Sequence, residues 1–186
     1  MFRYPIREGL ELRLYEDHYA PVLAETARAN HAHLSPWMPW ANVDYNEQAA
    51  LTFIRSSRET WFKGNGVSTG IWEHDVYVGG VGTHEISQMH KSVSIGYWLA
   101  ESAQGRGIMT ACAQAVVDYC FRDLDLHRVW LDADVDNARS RAVAVRLGMT
   151  EEGTLRETHR VHDKWSSMVR YSLLRPEWDA LQATAD

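Results

Sequence analysis

Apolar and polar residues alternate over residues 10–14 (LELRL), the two-residue period of a half-buried strand, which predicts the first strand of the chain. Residues 17–31 switch to helical spacing, with Tyr19, Val22, Leu23 and Ala27 on one side. The segment LSPWMPWAN that follows holds two prolines and cannot continue that helix. Residues 46–63 return to helical spacing, with Ala50, Phe53, Ile54 and Trp61 as the expected buried face. Strand patterns then dominate in VSTGIWE (67–73), YVGGVGTHEI (77–86) and SVSIGYWLA (92–100). Gly64, Gly66 and the His74-Asp75 pair supply the turns between them.

The second half changes element type repeatedly. Met109, Cys112, Ala113, Val116, Val117, Cys120, Phe121 and Leu124 predict a helix over 109–124. RVWLDADV (128–135) reads as a strand. Asp136 or Asn137 can cap a helix that ends before Gly148, a residue suited to the left-handed position after a helix. MTEEGTL and SSMVRYSLL finish the chain as strands. The order is mixed α/β, a run of adjacent strands followed by strand–helix–strand–helix–strand. At 186 residues the chain suits one domain, 1–186, rather than two.

A content of 45% hydrophobic and 24% charged residues is ordinary for a globular protein. No apolar run approaches the ~20 residues of a membrane span, and MFRYPIREGLELR lacks the apolar core of a signal peptide. A cytoplasmic protein without a membrane partner is expected. The net charge is −6 with no basic run, which argues against a nucleic-acid partner. Cys112 and Cys120 would stand ~12 Å apart along one helix, beyond disulfide reach, and read as small core residues. The histidine pairs 31/33 and 159/162 have no cysteine or carboxylate cluster beside them, so no metal is expected.

The joint between strand and helix in IGYWLAESAQGRGIMT is Gly105-Arg106-Gly107. Amides at a helix N-terminus lack intrahelical partners and carry partial positive charge, and glycines just before them let an anion approach. Gly105 to Thr110 therefore suit a pyrophosphate, with added charge from Arg106 and a hydroxyl from Thr110. A Rossmann fingerprint needs glycine at 110, and a Walker A loop needs Gly-Lys-Ser/Thr; neither is present. A tight turn without a ligand stays open on these residues alone.

Taken together, IGYWL through QGRGIMT, DNARSRAVAVRLGM, LRL near residue 12, HLSPWMPW, YSLL and the following PEW resemble the GCN5-related N-acetyltransferase (GNAT) family, over nearly the whole chain. The likeness is to the RimJ/RimL branch that acetylates ribosomal-protein N-termini. It implies an α/β fold with a mixed, mostly antiparallel twisted sheet of about seven strands and about four helices. The sheet would splay into a V between the strands near 93–99 and 128–135. The cofactor implied is acetyl-CoA, held by Gln104, Gly105, Arg106, Gly107, Ile108, Met109 and Thr110. Its pantetheine arm would lie along Trp98 and Leu99 and meet Asn137. The family pattern asks for Gln or Arg three residues before the first glycine; here that residue is Ser102.

For chemistry the resemblance points to Ser140 beside the CoA sulfur, as a hydrogen-bond donor to the thiolate; ordinary helix filler is its other reading. His159 falls where the branch has its glutamate base, Glu157 lies two residues earlier, and His84 and Glu85 are further candidates. Histidine, with an ordinary pKa of ~6.5, accepts protons near neutrality. Trp37, Trp40 and Tyr97 are expected at the acceptor groove, with core packing as the alternative for the tryptophans. An α-amine, pKa ~7.7–8.0, is about a quarter neutral at pH 7.4, against about one part in a thousand for lysine. That agrees with the acceptor the resemblance implies, a protein N-terminus, attacked directly in a ternary complex. A small amine (a polyamine, aminoglycoside or aminoacyl compound) or a noncatalytic acyl-CoA-binding module are the alternatives, and a homodimer is compatible with each.

Overall fold

The alternating segments fold as strands and the helically spaced ones as helices, in a computed structural model that describes residues 3–84 and 86–184. The chain runs β1 (Arg3–Arg7), β2 (Leu10–Leu14), a 3₁₀ turn (Asp17–Tyr19), α1 (Ala20–Ala29), α2 (His31–Leu34) and α3 (Glu47–Phe62). Next come β3 (Ser68–Glu73), β4 (Val76–Thr83), β5 (Ser92–Leu99), α4 (Ile108–Arg122) and β6 (Arg128–Asp134). It ends with α5 (Ala138–Arg146), β7 (Thr150–Val161), β8 (Lys164–Leu174) and α6 (Arg175–Ala183). Among the described residues no helix is long and apolar enough to cross a membrane.

The strands form one eight-stranded sheet in the order β1-β2-β3-β4-β5-β6-β8-β7. It has one strand more than the resemblance implies, because β1 precedes the LELRL strand and pairs with it. Two extra helices come from the one-turn α2 and the C-terminal α6. The expected helix over 17–31 is divided: Pro21 sits in the first turn of α1, and Asn30 interrupts it before α2. His74 and Asp75 turn the β3–β4 hairpin with φ of 46° and 64°, the left-handed pair a two-residue hairpin turn demands.

Alternation along β3 and β4, offset by a bulge that leaves Val78 unpaired, sends Ile71, Val78 and Val81 to the face covered by α4, and Trp72 and Tyr77 to the face covered by α1 and α3. In α4, Val117, Cys120 and Phe121 are fully buried, and burial of a side chain as large as valine or phenylalanine stabilises by roughly 1.5–3 kcal/mol. Both cysteines are free and buried, and burial pushes each thiol up to about 12. Trp178 of α6 stacks on Phe121 at 5.3 Å and donates to Asp118 at 2.8 Å. On α3, Ala50 and Ile54 are buried as expected, but Phe53 and Trp61 are 41% and 38% exposed.

The sheet opens at its parallel pair. β5 and β6 pair over three positions, Ser92 with Arg128, Val93 with Val129 and Ser94 with Trp130. Beyond these, β5 stays on β4 from Ile95 to Leu99, while β6 stays on β8 from Leu131 to Asp134. Gly79 permits the first attachment: a Cβ there would lie 2.3 Å from the Trp98 carbonyl oxygen. The two strands diverge, and their facing edges are left without a ladder between them. This is the V expected near 93–99 and 128–135.

Candidate active site

One side of the V is closed by the start of α4. Gly105 and Gly107 adopt φ of 76° and 73°, in the left-handed region that most L side chains avoid, and a Cβ on either would meet open space. Gly107 is the N-cap of α4 and offers no side chain to it. The first helical bond runs from the Ala111 N–H to the Gly107 carbonyl at 3.0 Å, so the amides before it lack an acceptor within the helix. They border a cavity of about 1170 Å³ whose lining includes Leu99, Gln104, Gly105, Gly107, Ile108, Met109 and Thr110.

Its positive charge comes from residues that the glycine motif does not contain. Arg139 and Arg146, two turns apart on α5, both line this cavity. Arg146 Nε donates to Thr110 Oγ1 at 2.9 Å, which ties α5 to the first turn of α4. Arg139 bonds Gln104 Oε1, and Gln104 Nε2 lies 2.6 Å from His33 Nε2. Arg106, expected at the anion, turns away instead. Its guanidinium pairs with Glu73 at 2.8 Å, and it is not among the lining residues. An acidic partner within reach on β3 outcompetes an open cavity mouth.

Asn137 caps α5, its Oδ1 accepting the Ser140 N–H at 3.1 Å. That bond uses the carboxamide oxygen and leaves the NH₂ as the group the side chain can offer a ligand. Ser140 Oγ stands 3.1 Å from the Tyr97 hydroxyl, which also lies 3.2 Å from the Ser140 carbonyl oxygen. Burial above all pushes the Tyr97 phenol up to about 12, the bond with Ser140 opposing it. Tyr97 is therefore a neutral donor across the working pH range. Trp98 turns its ring toward Trp40 (5.6 Å) and Tyr77 (5.8 Å), in an aromatic cluster below the V.

The other side of the V is a cavity of about 660 Å³. Trp37, Trp40, Tyr45, Phe53 and Trp98 form apolar wall, and His84, Asp132, Asp134 and His159 contribute polar groups. Asp132 is held bidentately by Arg170 at 2.8 and 2.7 Å. Asp134, 7% exposed, receives the backbone N–H of Asp136 at 2.9 Å. His159 is half-buried on β7 opposite Ser166. Glu157 is exposed at φ 50°, within a bulge of β7, and is not among the lining residues. The remaining candidate, Glu85, lies outside the described residues. Tyr97, Trp98, Asn137 and Ser140 line both cavities.

Asp134, Arg139 and Arg146 were not evident from the motifs. A signal for the arginines is present in RSRAVAVR, where the outer two stand seven residues apart and share a helix face.

Residues 9–150 match the family model of the Acetyltransferase (GNAT) domain. YdaF of Bacillus subtilis (strain 168), a candidate ribosomal N-acetyltransferase, is 34% identical over 96% of this chain and 98% of its own. The ribosomal-protein-serine acetyltransferase of Escherichia coli (strain K12) is 26% identical over 90% of this chain and 93% of its own. Among solved structures, RimL, a ribosomal α-N-protein acetyltransferase in complex with coenzyme A, superposes with a TM-score of 0.89. It is 26% identical, and the match covers 95% of this chain and 99% of that one. The family model covers more than half of the chain and the first of these relatives spans nearly all of it, so the chain belongs to the GNAT family as an N-acetyltransferase.

Proposed function

We propose that this enzyme moves the acetyl group of acetyl-CoA onto the α-amine of a protein N-terminus, a ribosomal protein foremost, within one ternary complex. The observation that carries this reading is the pair of cavities with Tyr97, Trp98, Asn137 and Ser140 as common wall. A donor on one side and an amine on the other meet there.

The residues present fit the donor. The space above Gly105 and Gly107 is open, the amides of the α4 first turn and the Arg139 and Arg146 guanidinium groups suit phosphates, and the free edge of β5 at Trp98 and Leu99 suits an extended amide-bearing arm. When bound, acetyl-CoA supplies an acyl group already activated as a thioester. Asn137 offers its NH₂ to the arm, and Ser140 offers a hydroxyl to the sulfur. His159, facing the acceptor cavity, takes the amine's proton, and Asp134 supplies negative charge that attracts an ammonium before it is deprotonated. The aromatic walls hold the residues that follow the N-terminus. The branch relatives named for ribosomal-protein acetylation support the protein acceptor.

A small amine carrying a flat ring is the second reading, favoured by the four tryptophans (Trp37, Trp40, Trp98 and Trp130) around a cavity of about 660 Å³, a volume that suits a compact ligand. Incubation with acetyl-CoA and peptides beginning in Ser or Ala, beside a panel of small amines, separates them through thiol release and product mass. Peptide acetylation at the α-amine is the expected result. Turnover confined to small amines transfers the function to the second reading, and CoA binding without turnover on any acceptor leaves a noncatalytic module.

A further inference from the structure

The Tyr97 hydroxyl has one hydrogen and two acceptors, the Ser140 carbonyl at 3.2 Å and Ser140 Oγ at 3.1 Å. The two arrangements differ in what they leave to the cavity. With the phenol bonded to the carbonyl, the serine hydroxyl donates back to the phenol oxygen and its hydrogen is occupied. With the phenol bonded to Oγ, the serine hydrogen is released toward whatever lies beside it. Resting on the reading above, we propose that Tyr97 is a positioning residue: its hydroxyl turns from the Ser140 carbonyl to Oγ as negative charge gathers on the departing sulfur, aiming the serine hydrogen at that sulfur.

Three features of the chain support this. Tyr97 comes from β5, where pairing with Val81 of β4 fixes its backbone. Ser140 is fixed in turn through its N–H on Asn137 Oδ1, so the hydroxyl rotors are the parts free to change. Burial keeps the phenol protonated, at about 12, so it answers a nearby anion by donating. No proton leaves Tyr97: the carbon–sulfur bond breaks, its electron pair goes with the sulfur, and the thiolate takes a proton from solvent after release. The arrangement that helps is favoured once charge has developed, which places its benefit in the transition state.

The test is Tyr97→Phe, which removes one oxygen, with binding of CoA and desulfo-CoA measured by calorimetry across pH. Wild type should prefer CoA over desulfo-CoA increasingly as pH rises and the bound thiol ionises. In the variant that preference should shrink by about tenfold, the scale of one bond to a charged group, with desulfo-CoA affinity unchanged. In turnover, kcat should fall about tenfold at constant KM for acetyl-CoA, and Tyr97→Phe should cost nothing further in a Ser140→Ala background. An undiminished preference for the thiol, or equal weakening of both ligands, overturns the proposal and leaves Tyr97 as cavity wall. Failure of the wild type to bind either ligand overturns instead the acetyl-CoA reading on which it rests.

Discussion

Substitution of Gly107 separates backbone strain from obstruction of the amides. At φ 73° an ordinary side chain costs roughly 1–2 kcal/mol, while asparagine tolerates the same conformation well. Nothing lies within 4 Å of a Cβ built there, so the protein itself meets no clash. The new atoms instead occupy the space in front of the amides of the α4 first turn. Losing two charge-assisted bonds of about 1.5 kcal/mol each gives about 3 kcal/mol, or roughly 150-fold in Kd for CoA. Gly107→Ala should therefore lower Tm by about 2–8 °C and weaken CoA as well. Gly107→Asn should melt close to wild type and still lose CoA, and Gly107→Val should do worst on both counts. Calorimetric titration of CoA alongside thermal melts reads the two effects independently. A folded Gly107→Asn protein that binds CoA within twofold of wild type would refute the cradle and leave a tight turn.

Ser140→Ala should lower kcat by about 10–100-fold with little change in KM for acetyl-CoA, as expected for a bond that strengthens with charge on the sulfur; steady-state kinetics at saturating acceptor measures it. His159→Ala should lower kcat/KM by about 100-fold or more, the scale of a lost general base, and His159→Glu should retain substantial activity. If the alanine variant keeps the wild-type rate in steady-state kinetics, the base is elsewhere and Asp134→Asn is the next substitution to assay. Glu152 is held down to about 2 by hydrogen bonds from the Arg128 guanidinium, with help from Ser172. Because its folded value is depressed, its contribution is complete above the ordinary glutamate value of ~4.3 and disappears as pH falls toward about 2. Glu152→Gln should thus melt below wild type at pH 7 and converge with it in acid, and a persistent gap there would count against the pairing.

Local patterns reveal those parts of the site that are built from backbone. The glycines at 105 and 107, the Asn137 cap and the strand-to-helix joints follow from residue type and spacing, and all appear where the spacing places them. Parts that depend on a cavity are less legible. Phe53 fits the buried stripe of α3 yet is 41% exposed, because it stands edge-on to Tyr15 at 5.3 Å and lines the acceptor cavity. Helical periodicity reports which residues share a face, and cannot report that the face borders a cavity. The direction of Arg106 depends on Glu73, a residue distant in sequence that no motif links to it. Around His159 the difficulty is a bulge: from Leu155 to His159 β7 advances four residues while β8 moves two, from Met168 to Ser166. A residue count along β7 crosses that insertion without seeing it. The final helix was recoverable, since Pro176 sits in its first turn and Glu177 accepts the Leu174 N–H at 2.8 Å.

The three-position ladder between β5 and β6 also governs how the molecule comes apart. On one side of it, β1 to β5 are antiparallel neighbours in chain order, and on the other β6, β8 and β7 form a separate antiparallel set. Each set closes mainly short-range pairings, so each has the makings of a cooperative unit, with α4 packed across both. Backbone amides inside either set should exchange with solvent late, and those at Val93, Ser94 and Val129 early, through a hinge-like opening that leaves both sets intact. A ligand seated in the V would act on the protein as a clasp, slowing exchange at the seam more than anywhere else in the sheet.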